Sequence, residues 1–359
     1  MLHALRSLVG LLKVQLIAID NHFFRLHYRV TVVILLAFST LVTSGQFSGD
    51  HMDCHFPDFP YKSLNTYCYV HSTFLVEKSI NLPTGRRIPY PGVSGHTEED
   101  QLKFYDYYQW IFLVLIVQAV LFYMPHYIWK AWEGGRMKML ASELASPVLS
   151  RSRMEHNIEP LADYFCATLH SHNSYAYKYF TCELLNLVNV VGQICFMNAF
   201  LGEDFALYGI YVIMYNQRLT ESVKNPMERL FPKMTKCVYH KYGPSGSIEN
   251  RDGICVLPQN FVNGKMYVFL WFWFHILAFI SLLVVLFRII TLISSSCRFY
   301  GFQSSSWMSC AKNNAVVFQR LKIGDWFLLH RLQQNINSLA YKELISHLAQ
   351  RFDSGVSDA

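Results

Sequence analysis

Cysteine is the residue with the most chemistry in this chain, and its nine copies fall into two groups. Cys54 and Cys68 lie in one long polar segment, and Cys237 and Cys255 in another, each as an even pair. The other five (Cys166, Cys182, Cys195, Cys297, Cys310) are scattered. Even pairs facing an oxidising space read as disulfides. Four cysteines allow three pairings, and spacing does not choose among them. Asp53-Cys54-His55 with Cys68-Tyr-Val-His71 also carries the ligand types of a zinc centre. The disulfide is the stronger reading for cysteines in such a space, so no metal and no cofactor is expected. The chain has no CxxC, HExxH, GxGxxG or Walker-type loop. Gly243-Pro-Ser-Gly-Ser247 misses the nucleophile elbow because its last position is not glycine. Nothing here reads as an enzyme.

The elements that hold those cysteines follow from where charge is missing. Of 359 residues, 52% are apolar and only 16% are charged, against about 25% charged in a soluble domain. That excludes a disordered or nucleic-acid-binding chain despite a formal charge of +6. Four runs carry no charge: 20 residues after Arg29, 23 after Asp106, 19 after Glu183 and 22 after Lys265. A helix crossing hydrocarbon needs about 20 residues, and backbone in lipid must bond to itself. The sequence therefore predicts spans at 28–49, 107–129, 184–202 and 266–293, with both termini on one side. Between them lie a leading segment 1–27, loops 50–106, 130–183 and 203–265, and a tail 294–359. Asn186, Asn189 and Gln193 give the third span a polar stripe that reads as contact between helices, with pore or water contact as the alternative. His275 reads as a hydrogen-bonded packing residue. Glu183 and Arg288 sit at span ends, where they are expected to snorkel.

Near the helix ends, Lys13, Arg25, Lys130, Arg136, Lys138, Lys178 and Arg298 lie on one side, against Lys62, Lys103 and Lys265 on the other. Positive charge marks the cytoplasmic face, so both termini are expected there and the paired cysteines outside. His3, Arg6, Ser7, Gly10 and Lys13 recur every three or four residues opposite Leu2, Leu5, Leu8, Leu12 and Leu16, which predicts an N-terminal amphipathic helix, either folded into a pore mouth or lying flat on the membrane surface. A cleaved signal peptide is the rival, but Lys13 interrupts the apolar run and no small-x-small site follows before Arg25. In the outer loops, Thr66–Val76 and Met234–Tyr239 read as strands, the second ended by the turn cluster 241–246, while 88–97 reads as an exposed excursion. Leu328, Leu332, Ile336, Leu339 and Leu344 predict one amphipathic tail helix packed on a helical middle loop. One four-helix unit offers little room for a conduction path, so any pore needs several subunits.

The block Tyr107-Tyr108-Gln109-Trp110, followed by Tyr123-Met-Pro125-His-Tyr127 and Trp129, resembles the signature of the innexins, the invertebrate gap-junction subunits. Asp20–Tyr28, Thr66–Phe74, Thr235-Lys-Cys237, Gly243–Ser247, Cys255–Pro258 and Gly324–Leu329 extend the resemblance over nearly the whole chain. Tyr69 stands where many members have Trp, and Ile111-Phe112 replaces a usual Val-Pro, leaving Pro125 to kink or end the second span.

The resemblance implies an all-α polytopic fold: four transmembrane helices, a small disulfide-linked extracellular domain containing β-structure, and a helical cytoplasmic domain. Subunits, about eight or alternatively six, ring a central pore, as homo- or hetero-oligomers with other innexin subunits in the plasma membrane among its lipids. It also implies the pairs Cys54–Cys255 and Cys68–Cys237, and a pore mouth lined by His3, Arg6, Ser7, Gly10 and Lys13. The expected function is a hemichannel docking through its outer loops onto one in the neighbouring cell, passing ions and small molecules. Two cysteines per outer loop fit this family and the related pannexins, and the absence of any Asn-x-Ser/Thr sequon favours docking. The alternatives are a non-docking, pannexin-like hemichannel and a non-conducting four-span adhesion or scaffold protein.

Overall fold

The computed structural model describes residues 17–48, 52–56, 62–80, 82, 87–97, 99–146, 150–202, 205–217, 225–306 and 308–354. The described residues open with α1 (His22–Arg25), a π-helical turn (Leu26–Thr31) and α2 (Val32–Ser48). The first long loop holds β1 (Asp53–His55), α3 (Lys62–Val70), β2 (Thr73–Val76), α4 (Glu77–Ile80) and β3 (Leu102–Tyr105). A 3-10 turn (Tyr107–Gln109) leads into α5 (Ile111–Glu133), then α6 (Arg136–Ala141), α7 (Arg151–Ala167) and α8 (Asn173–Leu201). The second long loop holds α9 (Tyr208–Asn216), α10 (Pro226–Leu230), β4 (Met234–Tyr242) and β5 (Ile248–Val256). The chain continues through α11 (Pro258–Ile293), α12 (Ser295–Ser305), α13 (Ala311–Arg320), α14 (Ile323–Gln333) and α15 (Ser338–Ser354).

Among the described residues, four stretches are long and apolar enough to cross a membrane: His22–Gln46, Ile111–Glu133, Asn173–Leu201 and Pro258–Ile293. The last, at 36 residues, is far longer than the about 20 that hydrocarbon requires. Pro125 does not end α5, which runs on to Glu133. The chain divides into two compact units. One comprises the described parts of Met1–Thr31, Leu121–Asn189 and Ala278–Ala359; the other comprises those of Val32–Val120 and Val190–Leu277.

The second unit contains both long loops, which build one five-stranded antiparallel sheet in the order β1-β5-β4-β2-β3. Its spine is the β4–β5 hairpin, paired from Met234↔Val256 out to Tyr242↔Ile248. Residues 66–76 are not one strand, contrary to the sequence expectation. Lys62–Val70 is helical and only Thr73–Val76 is extended, with Ser72 at φ 72° between them. The buried residues Leu64 and Cys68 stand one helical turn apart, and Tyr67 stacks on His71 with ring centroids 4.3 Å apart. Those i,i+4 contacts outweigh the strand preference of the aromatic and β-branched residues.

Segment 88–97 is not an exposed excursion either. Ile88 and Val93 are buried, and Val76 donates its amide to the Gly92 carbonyl at 2.9 Å. Gly92 has φ +79°, and a Cβ there would meet Leu75, so only glycine fits the crossing.

The first unit is a helical core. Ile158, Leu161, Ala162 and Phe165 of α7 and Ala340, Tyr341, Leu344, Ile345, Leu348 and Ala349 of α15 are buried at helical spacing in one cluster. The stripe from Leu328 to Leu344 spans two helices, α14 and α15, rather than the one expected. The break falls at Asn335–Asn337, where Asn337 Oδ1 accepts the Leu339 amide at 2.9 Å and starts α15. Leu328, Leu332, Ile336 and Leu344 are buried, whereas Leu339 is exposed.

The turn before α8 is clasped to the start of α14. Asp325 is buried and accepts from His172 Nδ1 at 2.8 Å and from the His170 amide at 3.1 Å. Burial pushes its carboxyl up, but hydrogen bonds from His172 and from the His170 and Lys322 amides outweigh this and hold its pKa below the ordinary carboxylate value. A depressed folded pKa means that the stabilisation is complete above the unfolded value, about 4, and is lost as pH falls through the folded one. The expected result is a melting temperature of purified protein that drops on acidification below pH 4. Asp325→Asn should melt lower at pH 7 and show a flatter acid limb.

The clasp also depends on Gly324, whose added Cβ would collide with the backbone of His172 and Asn173. Overpacking costs about 1–3 kcal/mol, and backbone cannot swing aside. Gly324→Ala should therefore melt several degrees lower than Gly301→Ala, where a Cβ meets nothing within 4 Å.

Candidate functional site

The two disulfides lie in the unit that carries both long loops. Cys54 Sγ is 2.06 Å from Cys255 Sγ, and Cys68 Sγ is 2.08 Å from Cys237 Sγ. Each bridge runs from the first loop to the second. Cys54 and Cys255 face each other across paired strands β1 and β5, while Cys68 reaches β4 from the buried side of α3. Cys54, Cys68 and Cys255 bring their sulfurs within 4.8 Å of one another. All three are committed to disulfides, which leaves no thiolate there for a metal.

The aromatic block at 107–110 ties this sheet to the start of α5. Tyr107 donates its hydroxyl to the Leu230 carbonyl at 3.0 Å, and Tyr105 donates to the Arg229 carbonyl at 3.0 Å. Gln109 donates its side-chain amide to the Tyr69 carbonyl, and Tyr108 packs its ring 5.2 Å from that of Tyr69. Gln46 of α2 donates to the Tyr108 carbonyl at 3.0 Å. Tyr107, Tyr108 and Gln109 thus fasten the second span to both loops, whereas Trp110 is 54% exposed. Burial pushes the Tyr69 hydroxyl above its ordinary pKa, so the phenol stays neutral and available as a hydrogen-bond partner.

The far end of the hairpin is bare. Tyr242 is 81% exposed and Ile248 is 68% exposed, where β4 turns through Gly243–Ser247 into β5. Toward the other end of β4, Lys236 is buried and its ammonium donates to the Ser94 carbonyl at 2.9 Å, Asp252 Oδ2 at 3.0 Å and His96 Nδ1 at 3.1 Å. Three donors meet three acceptors, which anchors segment 94–96 onto β4.

In the other unit, Trp129 is fully buried, donates its indole N–H to the Ile19 carbonyl at 3.0 Å, and packs against Tyr175 and Tyr179. Pro125 lies one turn before it in α5. Asp20 accepts from Arg25 Nε at 2.8 Å and lies 3.3 Å from His126 Nδ1. Burial raises the Asp20 pKa, but bonds from His126, Arg25 and Tyr28 overcome it and the net shift is downward. The π-helical turn directs His27 Nε2 to Ser281 Oγ at 2.7 Å and stacks Tyr28 on His126 at 3.6 Å.

Glu183 and Arg288 do not snorkel: they form a two-pronged ion pair at 2.6 and 3.0 Å. Their side chains are only 3% and 12% exposed, and Asn21 Nδ2 adds a bond to Glu183 at 2.8 Å. The signal was present in the sequence, since opposite charges bound two uncharged runs at ends assigned to the same membrane face. Asn186 and Gln193 are buried, and His275 bonds the Trp271 carbonyl at 2.8 Å and stacks on its ring. The pore-mouth candidates His3, Arg6, Ser7, Gly10 and Lys13 lie outside the described residues.

Four helices long and apolar enough to cross a membrane, with a sheet cross-linked from two separate loops, fit a multi-pass membrane protein. The chain belongs to the innexin family, whose family model, Innexin, matches residues 20–352. It is 46% identical to Innexin inx2 of Schistocerca americana over 348 residues, covering 97% of each chain. It is 46% identical to Innexin inx2 of Drosophila melanogaster over 345 residues, covering 96% of this chain and 94% of that one. It is also 40% identical to Innexin shaking-B of Drosophila melanogaster over 354 residues, covering 98% and 95%.

Proposed function

We propose that this chain is a gap-junction subunit that docks. Several copies, alone or mixed with other innexin subunits, ring an aqueous pore in the plasma membrane. The loops lie outside, the termini and middle loop lie in the cytoplasm, and the hemichannel joins that of a neighbouring cell to pass ions and small molecules. The observation that carries this reading is the sheet itself. Two bridges bind both loops into one preformed surface, so little ordering remains to be done on contact, and its hairpin presents Tyr242 and Ile248 to a partner. Disulfides in the loops fit an oxidising exterior, and the described parts of the termini and middle loop share the other unit.

The test is junctional conductance between paired cells expressing this chain alone, beside dye leak in unpaired cells. Coupling with little leak supports docking. Leak without coupling replaces it with a free hemichannel, and neither signal, with protein confirmed at the surface, replaces it with an obligate heteromer or an adhesion role. In the same reading, Arg6 and Lys13 repeated around the ring put positive charge at the cytoplasmic mouth. Arg6→Ala should shift the chloride-to-potassium permeability ratio toward potassium, and an unchanged ratio removes Arg6 from the pore.

A further inference from the structure

We propose that α9 is a bilayer anchor, whose exposed face lies in the boundary between lipid headgroups and acyl chains. The chain carries no charge from Phe205 to Gln217. Within that stretch, α9 buries Tyr208 and Gly209 and exposes Ile210, Tyr211, Ile213 and Tyr215, with Leu207 exposed at its N-cap.

Its depth is fixed from two sides. Asn198, in the last turn of α8, accepts the Ala206 amide on its Oδ1 at 2.9 Å, so the approach to α9 is held inside the end of the third span. On α11, Tyr208 donates to the Gly264 carbonyl at 3.2 Å and Trp271 Nε1 donates to the Ala206 carbonyl at 3.2 Å. The Trp271 ring fills the place that a Cβ on Gly209 would take, which brings the two helices close. Gly264 and Trp271 straddle Lys265, the last charge before 22 uncharged residues. Helix α9 therefore lies at the level where the fourth span enters the apolar zone.

The fourth span, to which α9 is bonded, also exposes Phe269 and Ile276. A helix at this depth, uncharged, with isoleucines and amphipathic tyrosines outward, has the chemistry of the aromatic belt at the membrane–water boundary. Tyrosine suits the boundary because its ring is apolar and its hydroxyl reaches the wet side. The closing of two spans on one short helix gives it a second use: it fixes the entry of the second loop against the membrane plane, beneath the sheet-forming part of that loop.

The test places photoreactive benzoyl-phenylalanine at Ile213 in the full chain, in nanodiscs of palmitoyl-oleoyl-phosphatidylcholine, with the same group at Ile248 on the exposed hairpin as the comparison. After illumination, mass spectrometry should find a phospholipid adduct at position 213 at least fivefold more abundant than at position 248. A covalent dimer as the main product at 213 would overturn the proposal in favour of a second copy of this chain. Lipid labelling no higher than at Ile248 would overturn it as well. The same probe at Ile210, exposed on the same helix, gives the readout if the Ile213 variant does not assemble. Labelling is independent of coupling, so this result and the docking result can fail separately.

Discussion

Cys68→Ser is expected to abolish coupling between paired cells. The bridge from Cys68 to Cys237 spans 169 residues of sequence and is the covalent link between α3 and β4. On a chain-entropy model, closing a loop of that length is worth on the order of 5 kcal/mol; membrane-anchored spans already restrict these loops, so that figure is an upper value. Local order adds to the loss. Cys237 is 1% exposed, and its freed thiol would face the serine hydroxyl in a space built for a disulfide. What remains between α3 and β4 includes the edge contact of Tyr67 with Tyr239, ring centroids 5.1 Å apart, which cannot hold register alone. The Cys54–Cys255 bridge would still join β1 to β5, so the sheet should loosen at α3 while the hairpin persists. Junctional conductance at background level, with the variant found at the cell surface by biotinylation, is the expected result. Normal coupling by Cys68→Ser would remove the preformed-surface argument, and Cys68→Ala/Cys237→Ala repeats the test without a stray thiol.

The second large effect lies at the buried ion pair. Arg288→Met should leave the Glu183 carboxylate uncompensated among apolar helices, and breaking a buried pair from one side costs about 3–5 kcal/mol. The arginine is also caged by rings, with its guanidinium carbon 5.3 Å from the Phe180 centroid and 5.6 Å from that of Phe327. Glu183→Gln should be milder than Arg288→Met. It strands a cation, but that cation keeps the ring faces, and the new amide oxygen can still accept from Asn21 Nδ2. The double variant Glu183→Gln/Arg288→Met should be more stable than Arg288→Met alone, because the stranded charge is gone. Thermal melting of detergent-solubilised protein, read by size-exclusion peak height, orders the three variants. An Arg288→Met protein that melts with wild type would mean that the pair contributes nothing to holding α8 and α11 together.

The sequence made these two sites visible to different degrees. Cysteines advertise themselves, since they fall as even pairs in polar loops. Their pairing did not follow from spacing; it came from family resemblance, and in the fold it follows from strand register that places Cys54 opposite Cys255. Glu183 and Arg288 looked like two separate span-end charges. Their opposite signs at ends assigned to one membrane face hinted at a pair, but a linear pattern does not say that two helices more than a hundred residues apart pack side by side.

Local preference also misled where packing decided. Thr66–Val76 has strand-forming residues, yet Lys62–Val70 is helical because Leu64 and Cys68 must share one buried side. Segment 88–97, with its prolines and glycines, reads as a loop in water, yet Gly92 lets it pass against Leu75. The tail reads as one apolar stripe, and Asn337 breaks it by capping a second helix.

By itself the sequence determined the number of apolar spans, the polar loops between them and the family, because charge is expelled from hydrocarbon and because the 107–129 block is specific. The tertiary structure alone decided which loop residues share a sheet, why Tyr107, Tyr108 and Gln109 are needed to hold the loops to a span, and how an apolar loop helix is pinned beside α11. Those outcomes depend on contacts between residues far apart in the chain, whose energies no local period or composition records.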